Sequence, residues 1–307
     1  MTTQPHSSNR LKQLRAFCLA AQAGSISKAA EKLFLSQPSV SLLIKSLEND
    51  LDVVLFERRG PRIDLTPHGK TLLEIAQPLV ERVDQIPEVF TARMGRVNAG
   101  SINIAAGEST ILYLLPKYIA TFRDHYENVS LHLHNVTGRD GMELLRKGEV
   151  DFVVGSLIDI PDDISYTPIF SYRPMLITPK NHPLAENNHL TLKDISQHGL
   201  ILPPRHLSTW RMVNTVFQQH GLNYKVNLEA GGWEVVKKYV SLGMGISIVT
   251  EICLTGDEEL TEIALDQYFP SRSYGIVARK GKVYTPQARK FIEMMDKDFF
   301  TREAAEE

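Results

Sequence analysis

The sequence predicts a mixed α/β protein with a small helical head, one long helix and a body of two α/β lobes. Three observations predict it. The chain has 307 residues, too many for one hydrophobic core. Charge is uneven: residues 1–67 carry nine Lys and Arg against six Asp and Glu, although the whole chain is −2. Beyond residue 100, strand and helix patterns alternate in two successive sets. Apolar content of 43 % and charged content of 23 % are those of a globular chain and exclude disordered and fibrous classes.

The head reads as three helices and a wing. The first helix spans about Arg10 to Ala23, with Leu11, Leu14, Phe17, Cys18 and Ala21 on one face and Gly24 ending it. Ser27 is the expected cap of a second helix, Lys28 to Phe34. Ser36 is the expected cap of a third, which runs to about Asn49 with Pro38 in its first turn and Val40, Ile44 and Leu47 inward. Val53–Phe56 and Ile63–Thr66 flank a turn at Arg59-Gly60-Pro61-Arg62, a short β-hairpin. Two helices joined by a tight turn, a basic bias and a following hairpin predict a winged helix-turn-helix on double-stranded DNA, the bland alternative being a small helical domain with a solvated polar face. Its third helix would enter the major groove with Ser36, Gln37, Pro38, Ser39, Ser41, Leu42 and Lys45 outward. Arg58, Arg59 and Arg62 on the wing would meet phosphates or the minor groove.

Residues 67 to about 97 carry one helical pattern. Leu72, Ala76, Leu79, Val83, Ile86 and Phe90 alternate spacings of four and three, an expected seam for pairing with a second copy. Pro78 and Pro87 should bend or break it. A linker follows from Gly95 to Gly100. The expected division is 1–67 for DNA binding, 68–99 for pairing, 100–172 with 269–307 for one lobe, and 173–268 for the other.

In the first lobe, strands at Ile102–Ala105, Val129–Val136 and Val150–Gly155 alternate with helices at Thr110–Tyr126 and Arg139–Lys147. In the second, strands at Met175–Thr178, Lys225–Glu229 and Ile246–Val249 alternate with helices at Ser208–His220 and Trp233–Leu242. A strand at Tyr274–Ala278 and a helix at Pro286–Phe299 finish the chain. The βαβ order predicts parallel sheets. Hydroxyls and free N–H groups at strand-to-helix junctions favour anions. Ser109 and Thr110, Thr137 and Gly138, Ser208 and Thr209, and Gly232 are therefore expected to face one effector cleft. Plain helix capping explains any one of these junctions equally well.

Other chemistry is excluded or weak. No apolar run approaches the roughly 18–20 residues of a membrane helix, and the N-terminus lacks a signal-peptide core. A cytoplasmic protein is expected. Two cysteines, Cys18 and Cys253, exclude a disulfide scaffold; Cys253, after a strand end, leaves a redox role open. His132 and His134 share a strand face, but no Cys or carboxylate nearby completes a metal site. Phosphate-loop, dinucleotide and nucleophile-elbow motifs are absent. No catalytic residue, metal ligand or cofactor is expected. The alternative is a bilobed solute-binding protein or enzyme with an accessory head.

Ala29-Ala30-Glu31-Lys32-Leu33, Ser36-Gln37-Pro38-Ser39-Val40-Ser41, Leu47-Glu48, Leu55-Phe56-Glu57-Arg58 and Leu65-Thr66-Pro67-His68-Gly69 resemble the N-terminus of LysR-type transcriptional regulators. The resemblance extends over essentially the whole chain. It implies two lobes like those of periplasmic binding proteins, a homotetramer on promoter DNA, contact with RNA polymerase, and a small effector, an anion or amino-acid-like molecule. Two positions depart from the pattern. Leu43 stands where the family often has a long polar residue, and either packs inward or reads a thymine methyl. Asp52 replaces the usual Gly, in a turn Asp tolerates. Residues 129–134 and 238–243 with Gly245 are similar to the branch regulating cysteine and sulfur assimilation. There, hydroxyls at positions nearest Ser109, Thr110 and Ser208 are implied to hold a sulfate or acetylated serine. Glu108 beside them would repel an anion unless turned away. Arg272, Arg279, Lys280 and Lys282 are expected as a solvated edge or a secondary anion contact.

Overall fold

The computed structural model describes residues 7–59, 62–93, 99–186 and 189–306. Three helices build the head: α1 (Ser7–Ala23), α2 (Ile26–Leu33) and α3 (Gln37–Leu51). Ala16, Ala20, Ala29 and Ala30 are buried where they cross, and these small side chains let the backbones approach. Val40 and Ile44 close that core from α3, while Leu47 joins Phe17 and Leu55 beneath the linker helix. Ser36 caps α3 as expected, accepting the Ser39 N–H at 3.3 Å. The cap of α2 is Ser25 and not Ser27. Gly24, at φ +59°, turns the chain so that Ser25 is already extended and the helix starts two residues sooner. Asp52 adopts the left-handed conformation expected of it, at φ 54°.

The wing pairs β1 (Phe56–Arg59) with β2 (Arg62–Leu65) antiparallel, Phe56 opposite Leu65. Its turn residues Gly60 and Pro61 lie outside the described set. Thr66 then caps α4 (Pro67–Asp84) through the Gly69 N–H at 3.0 Å. A Cβ at Gly69 would stand 2.2 Å from the Leu55 carbonyl oxygen, so only glycine lets α4 approach the hairpin this closely.

The expected single linker helix is two. After α4 the helix breaks at Gln85, two residues before Pro87, and resumes as α5 (Ile86–Arg93). Pro87 suits the first turn of a new helix, where its missing N–H costs nothing. Pro78 remains inside α4. Residues Gly95 to Asn98 of the expected linker lie outside the described set. The seam is also revised. Leu72 and Ala76 pack on the head, and the exposed apolar edge is Ile75, Leu79, Val83, Ile86 and Phe90.

The body begins with β3 (Gly100–Ala106), a π-helical turn (Thr110–Leu114), α6 (Leu115–His125), β4 (Val129–Asn135), α7 (Gly138–Lys147), β5 (Phe152–Gly155) and β6 (Ile164–Tyr172). The chain then crosses into β7 (Pro174–Pro179), α8 (Leu192–Ser196), β8 (Leu200–Leu202), α9 (Ser208–Gln219), β9 (Val226–Glu229), α10 (Trp233–Ser241), β10 (Ser247–Thr250), a 3-10 turn (Glu251–Cys253) and β11 (Leu260–Ala264). It returns in β12 (Arg272–Arg279) and ends with α11 (Pro286–Met295) and α12 (Phe299–Glu306).

The first sheet has the order β4-β3-β5-β12-β6. Its β4-β3-β5 part is parallel as expected, but β12 runs antiparallel to both β5 and β6. β6 leaves this lobe and β12 re-enters it, so the two crossing strands pair in opposite directions. In the second lobe β10 and β11 flank β7 antiparallel, while β8 runs parallel to β9 and makes a parallel bridge from Leu200 to Ile246. The parallel expectation therefore fails wherever a strand follows a crossing. Alternation still sorts the cores: Leu176, Leu200 and Leu202 face one side of the second lobe's strands, Met175, Ile177 and Ile201 the other.

Candidate functional site

On the head, Ser36, Gln37, Pro38, Ser39, Leu42 and Lys45 are exposed along the first turns of α3, and Ser41 is half-buried. Short side chains dominate this face, so the helix backbone can come near a surface. Gln37 donates to the Ser41 hydroxyl at 3.2 Å, and the Ser36 and Ser39 hydroxyls meet at 2.8 Å. Two acids of α3 are tied by scaffold groups, Glu48 half-buried and Asp50 at the surface. Glu48 accepts the Leu55 N–H at 2.8 Å, and Asp50 pairs with Arg10 at 3.3 Å and with the Gln13 amide. The outward face thus loses its nearest negative charges while Lys45 stays on it. Arg62 is exposed on the wing. The Arg58 and Arg59 side chains lie outside the described set. Leu43 is half-buried against the head core, which resolves its two alternatives in favour of packing inward.

In the body, contacts across the lobes join three of the four expected junctions. The Glu108 carboxylate lies against Gly232, 3.1 Å from where a Cβ would stand, beside the start of α10. That helix end already holds a negative group of its own. One turn further, the Tyr113 hydroxyl donates to Glu234. Thr110 is buried, 1 % exposed, within the same π-helical turn, and Ser109 precedes it without a capping bond. Ser208 and Thr209 open α9, and both hydroxyls accept from Arg272, at 2.5 Å and 3.0 Å. Thr137 donates to Asp140 at 2.7 Å, within its own helix start.

Arg272, expected at a solvated edge or a secondary anion contact, reaches across to the second lobe. Its partners Ser208 and Thr209 lie more than sixty positions away in sequence. The guanidinium also lies over the Tyr274 ring, 5.6 Å from its centroid. Among the described residues it meets hydroxyls and a ring but no carboxylate, so its charge is uncompensated. Tyr166 packs beside it and donates to the Ser273 carbonyl at 2.9 Å. Burial raises the Tyr166 phenol above its usual range, and the nearby arginine works the other way.

A second charged cluster lies in the second lobe. Lys237 is 5 % exposed and donates to Glu258 at 2.6 Å and to the Cys253 carbonyl at 2.8 Å. Burial opposes the Lys237 charge, yet Glu258 and Glu234 hold the ammonium well above its ordinary range. Burial also opposes the Glu258 charge, but Lys237 and the Thr255 backbone N–H bring that carboxyl down to about 2. Every charge here has a partner, and Tyr113 ties the cluster to the first lobe through Glu234. Cys253 lies beneath it, fully buried, its thiol pushed up to about 12 by burial. Cys18 is likewise buried and raised to about 12. Thiols that stay protonated are poor nucleophiles, which removes the redox reading of Cys253.

Among the described residues no group of three His, Cys, Asp or Glu gathers to hold a metal ion. No described helix is long and apolar enough to cross a membrane.

Comparison with known proteins agrees with this architecture. Residues 11–70 match the bacterial regulatory helix-turn-helix protein, lysR family, and residues 95–299 match the LysR substrate binding domain. The HTH-type transcriptional regulator cbl of Escherichia coli is 30 % identical over 90 % of this chain and 88 % of its own length. A RuBisCO operon transcriptional regulator of Allochromatium vinosum is 28 % identical over 93 % of this chain and 95 % of its own. Among solved structures, the cofactor-binding domain of the Cbl transcriptional regulator superposes with a TM-score of 0.62 at 25 % identity, covering 67 % of this chain and 93 % of that one.

Proposed function

The chain belongs to the LysR family of bacterial transcriptional regulators, and from that premise we propose how its parts divide the work. Residues 1–67 read promoter DNA, 68–99 pair with a second copy, and the lobes 100–172 with 269–307 and 173–268 sense an anionic effector between them. α3 enters the major groove with Ser36, Gln37, Pro38, Ser39, Ser41, Leu42 and Lys45. Gln37 is suited to an adenine edge. Arg58, Arg59 and Arg62 take phosphates beside it. The reading involves no catalytic step, cofactor or metal, and places the protein in the cytoplasm.

One observation carries the effector reading: Arg272, with no carboxylate partner, spans to the hydroxyls that open α9. A guanidinium offers paired N–H donors to a planar or tetrahedral oxyanion. The opposite junction is less suited to the charge, because Glu108 already sits at the start of α10. The effector therefore places its anionic group at Arg272, Ser208 and Thr209, and the rest of the molecule toward Ser109, Thr110, Thr137, Gly138 and Gly232.

β12 supports a route from this cleft to the head. Arg272 begins the strand and Arg279 ends it, about 23 Å away at the usual rise per residue. Arg279 forms a half-buried ion pair with Glu81 on α4, and Gln85, at the break between α4 and α5, donates to the Val283 carbonyl at 2.8 Å. An anion that draws Arg272 from the α9 hydroxyls shifts the lobes, and β12 passes the change to the linker helix. Two or four copies joined along Ile75, Leu79, Val83, Ile86 and Phe90 then change the spacing of their heads on DNA and before RNA polymerase.

A thermal-shift screen of sulfate, acetylated serine, amino acids and aromatic acids tests the sensing half. Binding raises stability by mass action. Anions should raise the melting temperature of the wild type, and Arg272→Gln and Ser208→Ala should each abolish that rise. An anion shift unchanged in both variants would remove the assignment.

A further inference from the structure

Leu42 is 70 % exposed on α3, and no described group of the protein covers it. It lies four residues after Pro38, three after Ser39 and three before Lys45, which places it among them on the outward face of the helix. Between Ser36 and Lys45 it is the one large apolar side chain so exposed; Val40 and Ile44 are buried, and Leu43 packs on the head core. A solvated leucine is ordinary on most surfaces. Here it occupies the second turn of the helix that meets the groove, where every other exposed side chain is short, polar or cationic.

We infer that Leu42 is a specificity residue that reads the 5-methyl group of a thymine. This rests on the reading of α3 as the groove helix. The physical argument is elimination by chemistry. The major groove edge of each base pair presents donors and acceptors, and its one apolar group is the thymine methyl. A leucine pressed against a guanine or cytosine edge strips water from polar atoms and returns no hydrogen bond. Against thymine, its terminal methyl groups meet another methyl, and both leave water. Polar neighbours disfavour the other apolar partner, a second protein surface. Ser39 and Lys45 flank it on α3, and no second large apolar side chain is exposed between Ser36 and Lys45, so this stretch of the helix offers no contiguous apolar patch of the kind an interface needs. The thymine-methyl alternative that Leu43 posed from sequence thus belongs to its neighbour, one position along the helix.

The test begins with in vitro selection of binding sites from a random duplex library, using the full-length protein. Each thymine of the selected site is then replaced by uracil, which deletes the methyl and leaves the hydrogen-bonding edge intact. Burial of one methyl corresponds to about a fourfold change in affinity. The wild type should lose about that factor at one thymine in each half-site and be indifferent elsewhere. Leu42→Ala should bind thymine and uracil equally at that position, and sites selected with it should lose their thymine there. Leu42 is exposed, and the melting temperature of the variant should match the wild type.

Three outcomes overturn the inference while leaving the head a DNA reader: a flat uracil scan with wild-type protein, an equal uracil penalty in Leu42→Ala, or an alanine variant that loses affinity equally for every sequence. The last would assign Leu42 to a contact between heads. Failure to select any sequence would instead break the underlying reading of α3.

Discussion

The head and the body leave their polar groups in opposite conditions. On the outward face of α3, Ser36 to Ser39, Leu42 and Lys45 are exposed, while Glu48 and Asp50 are paired with scaffold groups. In the body, the polar groups are engaged with one another: Tyr113 with Glu234 and Arg272 with Ser208 and Thr209 across the lobes, and Lys237 with Glu258 within the second. A face of the first kind is ready for a rigid, wet, charged surface and needs no rearrangement. A cleft of the second kind must exchange internal contacts for external ones. Exchange of that sort couples binding to a change of shape. The two clusters of the body differ again. Lys237 is fully compensated, and Arg272 is not, which is the distinction between a structural clamp and the proposed sensor.

The largest effect should come from the clamp. Lys237→Met leaves Glu258 half-enclosed without its cation, and losing one partner of a buried pair costs about 3–5 kcal/mol. Urea unfolding should read that loss, while Arg272→Gln, which leaves no carboxylate unpaired, should cost far less. Equal losses would erase the distinction between clamp and sensor.

Acid gives a second, somewhat smaller test. The Glu258 carboxyl is held near 2 in the folded protein, below its ordinary value of 4.5. Its contribution is complete above that ordinary value, where both states are ionised. It is lost as pH falls from about 4.5 toward about 2, because the unfolded chain takes up the proton first. The full contribution is on the order of 3 kcal/mol. Stability curves of wild type and Glu258→Gln should therefore converge across this window. Parallel curves would contradict the pairing.

The smallest effect concerns the head. Phe34 is 95 % exposed and left-handed, at φ 55°. A bulky residue there pays a backbone cost of about 1 kcal/mol that no packing returns. Phe34→Asn should raise head stability by about 0.5–1 kcal/mol, read by thermal melting. A loss would mean the ring is covered within the folded protein.

The same contrast governs what could be read from sequence. Ser36, Pro38 and Asp52 were legible because each acts on backbone within four residues of itself. The cap of α2 slipped from Ser27 to Ser25 because two serines compete and only the turn at Gly24 decides between them. β6 escaped notice: it is long, but Pro168 interrupts a sequence that mixes buried and exposed positions without alternation. The antiparallel return of β12 depends on where the chain crosses between lobes, which no local pattern encodes. The seam was half legible. Heptad spacing identified the helix face, but Leu72 and Ala76 are claimed by the head through contacts far away in sequence. Arg272 was the costliest miss, since its meaning comes from hydroxyls in another lobe. A basic residue at the start of the returning strand was its only local signal.

The central claim is that Arg272 senses an anion and that α3 reports it on DNA. Fluorescence anisotropy of a selected operator, titrated with wild-type and Arg272→Gln protein with and without the anion that gives the largest thermal shift, tests it most directly. The account predicts that the anion changes wild-type operator affinity and leaves Arg272→Gln unmoved, while the two proteins bind alike without it. An anion response of equal size in both proteins would contradict it.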